Sequence, residues 1–306
     1  MPTPADPHYP ALRRFAAEPI MFIGGQRALL LQLAHPEIAA GVEHHSTFRR
    51  YPVTRLLATI DALILLVWGT PDEAVAARNR IFAVHDRVHG TLRPPNDPTP
   101  SWPAGSSYSA HDPGLQRWVW STLVDTAFVI YRTFVGEIPE SHQQAVYDDW
   151  RRLATVFNID RATLPADIEQ FRAAFAHELS QLEISATARN LAASVLDPPL
   201  PFVPRSIRQL SGLVAAGLLA ARLRDGYGLS WTEQHDARFR RSVSRIRSAW
   251  RFVPPQRRLA PHAYLGARRA ATAAWFVASQ VADTISAVAA AAPRPQLRPL
   301  VRSSPR

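Results

Sequence analysis

The chain has 306 residues, a formal net charge of +10 and 47% apolar residues, enough for one large hydrophobic core. It contains no cysteine, which excludes disulfides, thiolate zinc sites, iron–sulfur clusters and cysteine nucleophiles together. All 35 basic side chains are arginine, so no lysine amine is present to form a Schiff base or reach a metal. Any metal must therefore be held by His, Asp, Glu or Tyr.

In chain order the pattern is a series of helices punctuated by proline, with no convincing run of alternating apolar and polar residues. The segment 1–10 carries prolines and Asp6 ahead of any apolar run. It reads as a flexible N-terminus without a secretion signal, and the chain as cytoplasmic. Helices are predicted over Ala11–Phe15, Gln26–Leu33, Pro36–His44, Val53–Trp68 and Pro71–His89. The loop Leu92–Pro103 holds five prolines, cannot continue a helix and reads as a surface excursion. Further helices are predicted over Leu115–Phe134, Glu140–Phe157, Pro165–Leu182, Ala186–Leu196, Arg205–Leu223, Thr232–Phe252 and Leu265–Ala291. The expected architecture is all-α, a single multi-helix globular domain over 11–292, with a disordered basic tail over 293–306.

Two apolar stretches bear on membranes. Ile60–Trp68 is shorter than the roughly 20 helical residues a bilayer needs, and Ala270–Ala292 is mostly alanine interrupted by Gln280 and Asp283. No transmembrane segment is expected, while peripheral membrane contact stays open. The arginines concentrate at Arg238–Arg258 and at Arg294, Arg298, Arg302 and Arg306, without a nucleic-acid motif. No nucleic-acid partner is expected.

Phosphate-cradling glycine loops, zinc-protease helices and serine elbows are missing from the sequence. What remains is a histidine-rich region, with six of eleven histidines between His35 and His111. Helical spacing puts Ile81, Phe82, His85 and Val88 on roughly one face. An inward-facing imidazole there needs a partner, which could be a backbone carbonyl or an iron. His89 lies four residues further on, but Gly90 marks the helix end, so His89 reads as a capping residue and His85 as the candidate ligand. One helix earlier, Arg55 and Thr59 share a face within a helix otherwise filled with Leu56, Leu57, Ile60, Leu63, Ile64 and Val67. Their partner could be a bound anion or oxygen species, or simply a nearby carboxylate and the helix's own backbone.

These residues occur in ordered motifs. Gln26-Arg27-Ala28 through Ala34-His35-Pro36, Ala40-Gly41-Val42, His45-Ser46 and Arg55 with Thr59 open the series. Val84-His85-Asp86-Arg87-Val88-His89-Gly90-Thr91, Tyr108-Ser109-Ala110-His111-Asp112-Pro113 and Trp118-Val119 with Thr122-Leu123-Val124 follow, and Gly217-Leu218-Leu219 through Tyr227-Gly228-Leu229 and Trp231 close it. Together they resemble the MpaB/rubber-oxygenase catalytic domain family (DUF2236) from about Leu12 to Trp231.

The resemblance implies a helical fold enclosing a b-type haem, with His85 as the proximal iron ligand and Arg55 and Thr59 near the haem supporting catalysis. Arginines such as Arg27, Arg55 or Arg87 would then meet the haem propionates. The implied function is a haem-dependent oxygenase that uses O2 on an apolar, isoprenoid or lipid-like small molecule, with an unidentified electron donor. A haem peroxygenase or peroxidase, a non-catalytic haem sensor and a helical scaffold are the alternatives. Two departures stand out. The rubber-cleaving branch can place a lysine on the distal iron, and this chain has none; and where many members read Trp-Val-His, it reads Trp118-Val119-Trp120.

Overall fold

The computed structural model describes residues 9–45, 52–198 and 203–254, with the side chains of residues 52–57 outside that description. The predicted helix Leu265–Ala291, the basic tail and most of the N-terminal segment lie outside the described residues. Twelve α-helices are found within them: α1 (Pro10–Phe15), α2 (Gly25–Leu33), α3 (Pro36–His45), α4 (Pro52–Trp68), α5 (Pro71–His85), α6 (Pro113–Ile130), α7 (Glu140–Ala154), α8 (Ile168–Gln181), α9 (Ala186–Leu196), α10 (Arg205–Gly217), α11 (Ala221–Gly226) and α12 (Glu233–Phe252). A 3-10 turn at Pro19–Gly24, not foreseen in the sequence, leads into α2.

Most starts have a readable cause. Thr70 and Glu73 form a reciprocal capping box on α5, with Pro71 preset at its first position. Asp112, Asp167 and Ser185 accept amides in the first turns of α6, α8 and α9. Helix α1 has no cap of its own and takes one from 137 residues away: the Oδ2 of fully buried Asp149 accepts the amides of Ala11 and Leu12 at 2.8 and 2.9 Å. That bond holds the start of the domain to α7.

The core gathers around α2, α6, α7 and α9, with Leu30, Leu31, Trp118, Val124, Tyr147, Leu153 and Leu191 at its centre. Several of its large polar-tipped residues donate to backbone oxygens. The Trp118 indole donates to the Leu31 carbonyl at 3.1 Å, and Trp120 donates to that of Trp150 at 3.0 Å. Trp120 is 3% exposed and meets the Phe171 ring edge-on, so this position holds core bulk rather than a polar group.

Two sequence expectations are corrected. The predicted helix Pro71–His89 stops at His85, and His89–Thr91 forms strand β1, antiparallel to β2 (Ser107–Ser109), with His89 opposite Ser109 and Gly90 opposite Tyr108. These two short strands are the exception to an otherwise helical chain, and three residues each are too few for alternation to show. The predicted helix Arg205–Leu223 is two helices, because α10 ends at Gly217 and the carbonyls freed at the break are claimed by arginine side chains. The proline loop is the largely exposed excursion expected, and it is tied down at its middle: Asp97, 2% exposed, accepts the Arg93 amide, the Thr187 hydroxyl and the His44 imidazole.

Among the described residues no helix is long and apolar enough to cross a membrane.

Candidate functional site

Helices α4 and α5 are joined by the two residues Gly69 and Thr70 and pack along each other. So short a link makes them antiparallel neighbours. With 17 residues in α4 and 15 in α5, the last residue of α5 comes level with the first turn of α4. That last residue is His85, and the first turn of α4 contains Arg55. Thr59 sits one turn deeper on the same helix. The hairpin therefore brings the catalytic candidates Arg55 and Thr59 and the metal-ligand candidate His85 to one end of two helices.

The face expected from spacing is present. Ile81, Phe82, His85 and Val88 are each half-buried, while Ala83, Val84, Asp86 and Arg87 between them are exposed. The His85 ring lies 6.2 Å from that of Phe82 and 6.0 Å from that of His111, which it meets edge-on. His111 Nε2 in turn sits 2.7 Å from Asp86 Oδ1, tying the end of α5 to the segment before α6. His89, expected to cap the helix, instead stands in β1 with its ring 6.3 Å from that of His45.

Of the three propionate candidates, the Arg55 side chain lies outside the described residues, and the other two separate. Arg27 is 6% exposed and fully engaged in the fold: it donates to the Leu218 carbonyl at 3.0 Å, to the Thr126 hydroxyl at 2.7 Å and to Asp125 Oδ2 at 2.7 Å. It closes the gap between α2, α6 and the break after α10. Arg87 is exposed two residues beyond His85 and makes no hydrogen bond or ion pair among the described residues.

Sequence reasoning missed one polar network. His44 bridges the two sides of the loop, with Nδ1 2.9 Å from the Tyr108 hydroxyl and Nε2 3.0 Å from Asp97 Oδ2. His45 Nε2 approaches the same hydroxyl at 3.1 Å, and burial pushes the Tyr108 phenol above its ordinary range. Gly90 passes so close to that phenol that a Cβ there would lie 2.8 Å from its oxygen. The signal available in the sequence was the His44-His45 pair at the end of an amphipathic helix, with no hint of which distant residues it would meet.

Among the described residues no three His, Asp or Glu side chains converge as a bare metal ion would require.

Two curated relatives, uncharacterized proteins of Mycobacterium bovis and Mycobacterium tuberculosis, are each 27% identical to this chain over 241 residues, covering 74% of it and 87% of their own length. No solved structure matches the chain at a significant level. The family model for the ER-bound oxygenase mpaB/B'/rubber oxygenase catalytic domain matches residues 12–248, which takes in every helix from α2 to α11 and most of α12. The chain belongs to that family of oxygenase catalytic domains.

Proposed function

We propose that this protein is a haem-b-dependent oxygenase that uses O2 to oxidise an apolar, isoprenoid or lipid-like small molecule, with His85 as the protein's ligand to the iron. The observation that carries the reading is the α4–α5 hairpin, which sets a half-buried imidazole at the end of one helix level with Arg55 on the other. Haem, when bound, supplies the redox chemistry that no side chain of this chain can perform. The protein's own contribution is positional. His85 presents one ring nitrogen from a helix end whose neighbours are Phe82 and His111, and the Asp86–His111 pair fixes the backbone on which it stands.

In this reading Arg55 and Thr59 supply the polar, hydrogen-bonding side of the reacting space, and the apolar residues of α4 exclude water around them. Arg87 is the propionate partner retained, being exposed and uncommitted beside His85; Arg27 is set aside as a structural tie. An electron donor is not specified by anything in the site.

The test is spectral. Protein reconstituted with haem should show a Soret band that His85→Ala greatly weakens and His89→Ala leaves in place. A wild-type protein that stays spectrally silent after reconstitution sinks the proposal. With haem bound, unsaturated isoprenoids should drive oxygen uptake and yield carbonyl products, and Arg55→Ala and Thr59→Ala should lower that rate by about 10²-fold while retaining the Soret band.

A further inference from the structure

A cavity of about 470 Å³ opens between the start of α3, helix α6, helix α8 and the Trp102 segment, and His85 is not among its lining residues. Its size falls in the range of small-molecule sites, about 300–1,000 Å³. What distinguishes it is the polar inventory. His35, Arg117, Ser121 and Glu178 all line it, and among the described residues none of the four side chains makes a hydrogen bond or ion pair. The Nδ1 of His35 is buried without a partner, while its ring packs edge-on against Trp102 at 5.3 Å. A buried polar atom is ordinarily satisfied within the fold, so His35 Nδ1, beside the half-buried and unbonded Arg117 and Glu178, awaits a partner from the cavity.

We propose that this cavity binds a small monocarboxylate with an apolar body, its carboxylate on Arg117 and its body against Trp102, Phe171 and Phe175. The charge inventory selects that class. Arg117 is the single permanent cation among the lining residues, which suits one carboxylate in a bidentate fork and falls short of a phosphate dianion. The one acidic lining residue, Glu178, is pushed upward by burial, with Arg117 and His177 pulling it back. Burial thereby disfavours its anion, the form an ammonium ligand would need. His35 stays neutral, its pKa lowered to about 4 chiefly by burial, and offers one further hydrogen bond. The opposite wall is aromatic, with Phe171 and Phe175 stacked at 5.9 Å and Phe175 stacked on Trp118 at 5.3 Å. The site is independent of the haem reading and stands or falls apart from it.

Titration calorimetry of the full chain with octanoate tests the assignment, with octan-1-ol, octylamine and inorganic phosphate as comparison probes. Octanoate should bind saturably at one equivalent, at least tenfold more tightly than any of the other three. Arg117→Gln should weaken octanoate at least tenfold, and Glu178→Gln should leave it unchanged or tighter. Neither side chain makes a hydrogen bond or close ion pair among the described residues, and their mutual attraction is partly solvent-screened, so both variants should melt close to wild type; Ala174→Trp, which fills the cavity from α8, should remove binding by volume alone. Absence of saturable octanoate binding, equal binding by Arg117→Gln, or a preference for octylamine that Glu178→Gln abolishes would each overturn the proposal. The Soret band of haem-loaded Arg117→Gln should match wild type, which separates failure here from failure of the oxygenase reading.

Discussion

Replacing Arg27 by methionine separates a structural cation from a cofactor-binding one. The substitution keeps the length of the side chain and removes three donors, to the Leu218 carbonyl, the Thr126 hydroxyl and Asp125. Breaking a buried ion pair by deleting one partner costs about 3–5 kcal/mol, because the remaining charge is stranded. The Asp125 side chain retains 19% of its exposure, so water recovers part of that loss and the lower end, about 3 kcal/mol, is the working figure. At about 2–4 °C per kcal/mol for a domain of this size, the melting temperature should fall by about 6–12 °C. The measurement is urea unfolding of the haem-free protein, followed by tryptophan fluorescence. The double variant Arg27→Met/Asp125→Leu should recover part of the loss, since an apolar pair of similar volume leaves no stranded charge. If Arg27→Met keeps the haem-free stability within about 0.5 kcal/mol and instead loses haem affinity, the structural assignment is wrong and Arg27 returns to the propionates.

Three further outcomes follow from particular contacts. Asp149→Ala strands the amides of Ala11 and Leu12 and should cost about 3 kcal/mol in urea unfolding, with faster proteolysis near the N-terminus; unchanged proteolysis would show that α1 is held by its apolar face alone. Gly212→Ala places a Cβ 2.3 Å from the Leu196 carbonyl oxygen, a backbone atom that can yield only if α9 and α10 part, so the roughly 1 kcal/mol gain in helix propensity should be outweighed and net stability should drop by about 2 kcal/mol. A neutral or stabilised Gly212→Ala protein would mean the two helices are not in close contact. His35 is held near a pKa of about 4 by burial, against its ordinary 6.5, so the folded chain binds fewer protons than the unfolded one between those values. Its contribution is complete above about pH 7 and is lost as pH falls from 6.5 toward 4, to a limit of about 3 kcal/mol at about 1.4 kcal/mol per pH unit. Urea midpoints from pH 7.5 to 4.5 should therefore fall more steeply for wild type than for His35→Phe, and superimposable profiles would remove the argument.

The helical layout was legible because its signals are local. Proline at the first position of α3, α5 and α6, a carboxylate or hydroxyl just before α5, α6, α8 and α9, and apolar residues every three or four positions can all be read from neighbours in sequence. What escaped depends on residues far apart. The break after Gly217 is stabilised by Arg27, 191 residues before the Leu218 carbonyl it binds, and the anchoring of the proline loop depends on Thr187 and His44 reaching Asp97. A strand of three residues such as His89–Thr91 exists only because Ser107–Ser109 pairs with it, and nothing local announces that pairing.

The same division applies to the site. Which histidine faces inward was a question of helical phase, and the half-buried sequence Ile81, Phe82, His85, Val88 answers it from local spacing. Which histidine ends the helix was a question of competition, and there the local rule failed. Gly90 is an ordinary helix terminator, yet α5 stops four residues sooner because the chain from His89 onward gains ladder bonds to Ser107–Ser109 and packs Gly90 against Tyr108. The displacement has a chemical consequence. It moves His89 out of the helix, so His85 and His89 do not share the i, i+4 spacing from which one helix face could chelate an ion.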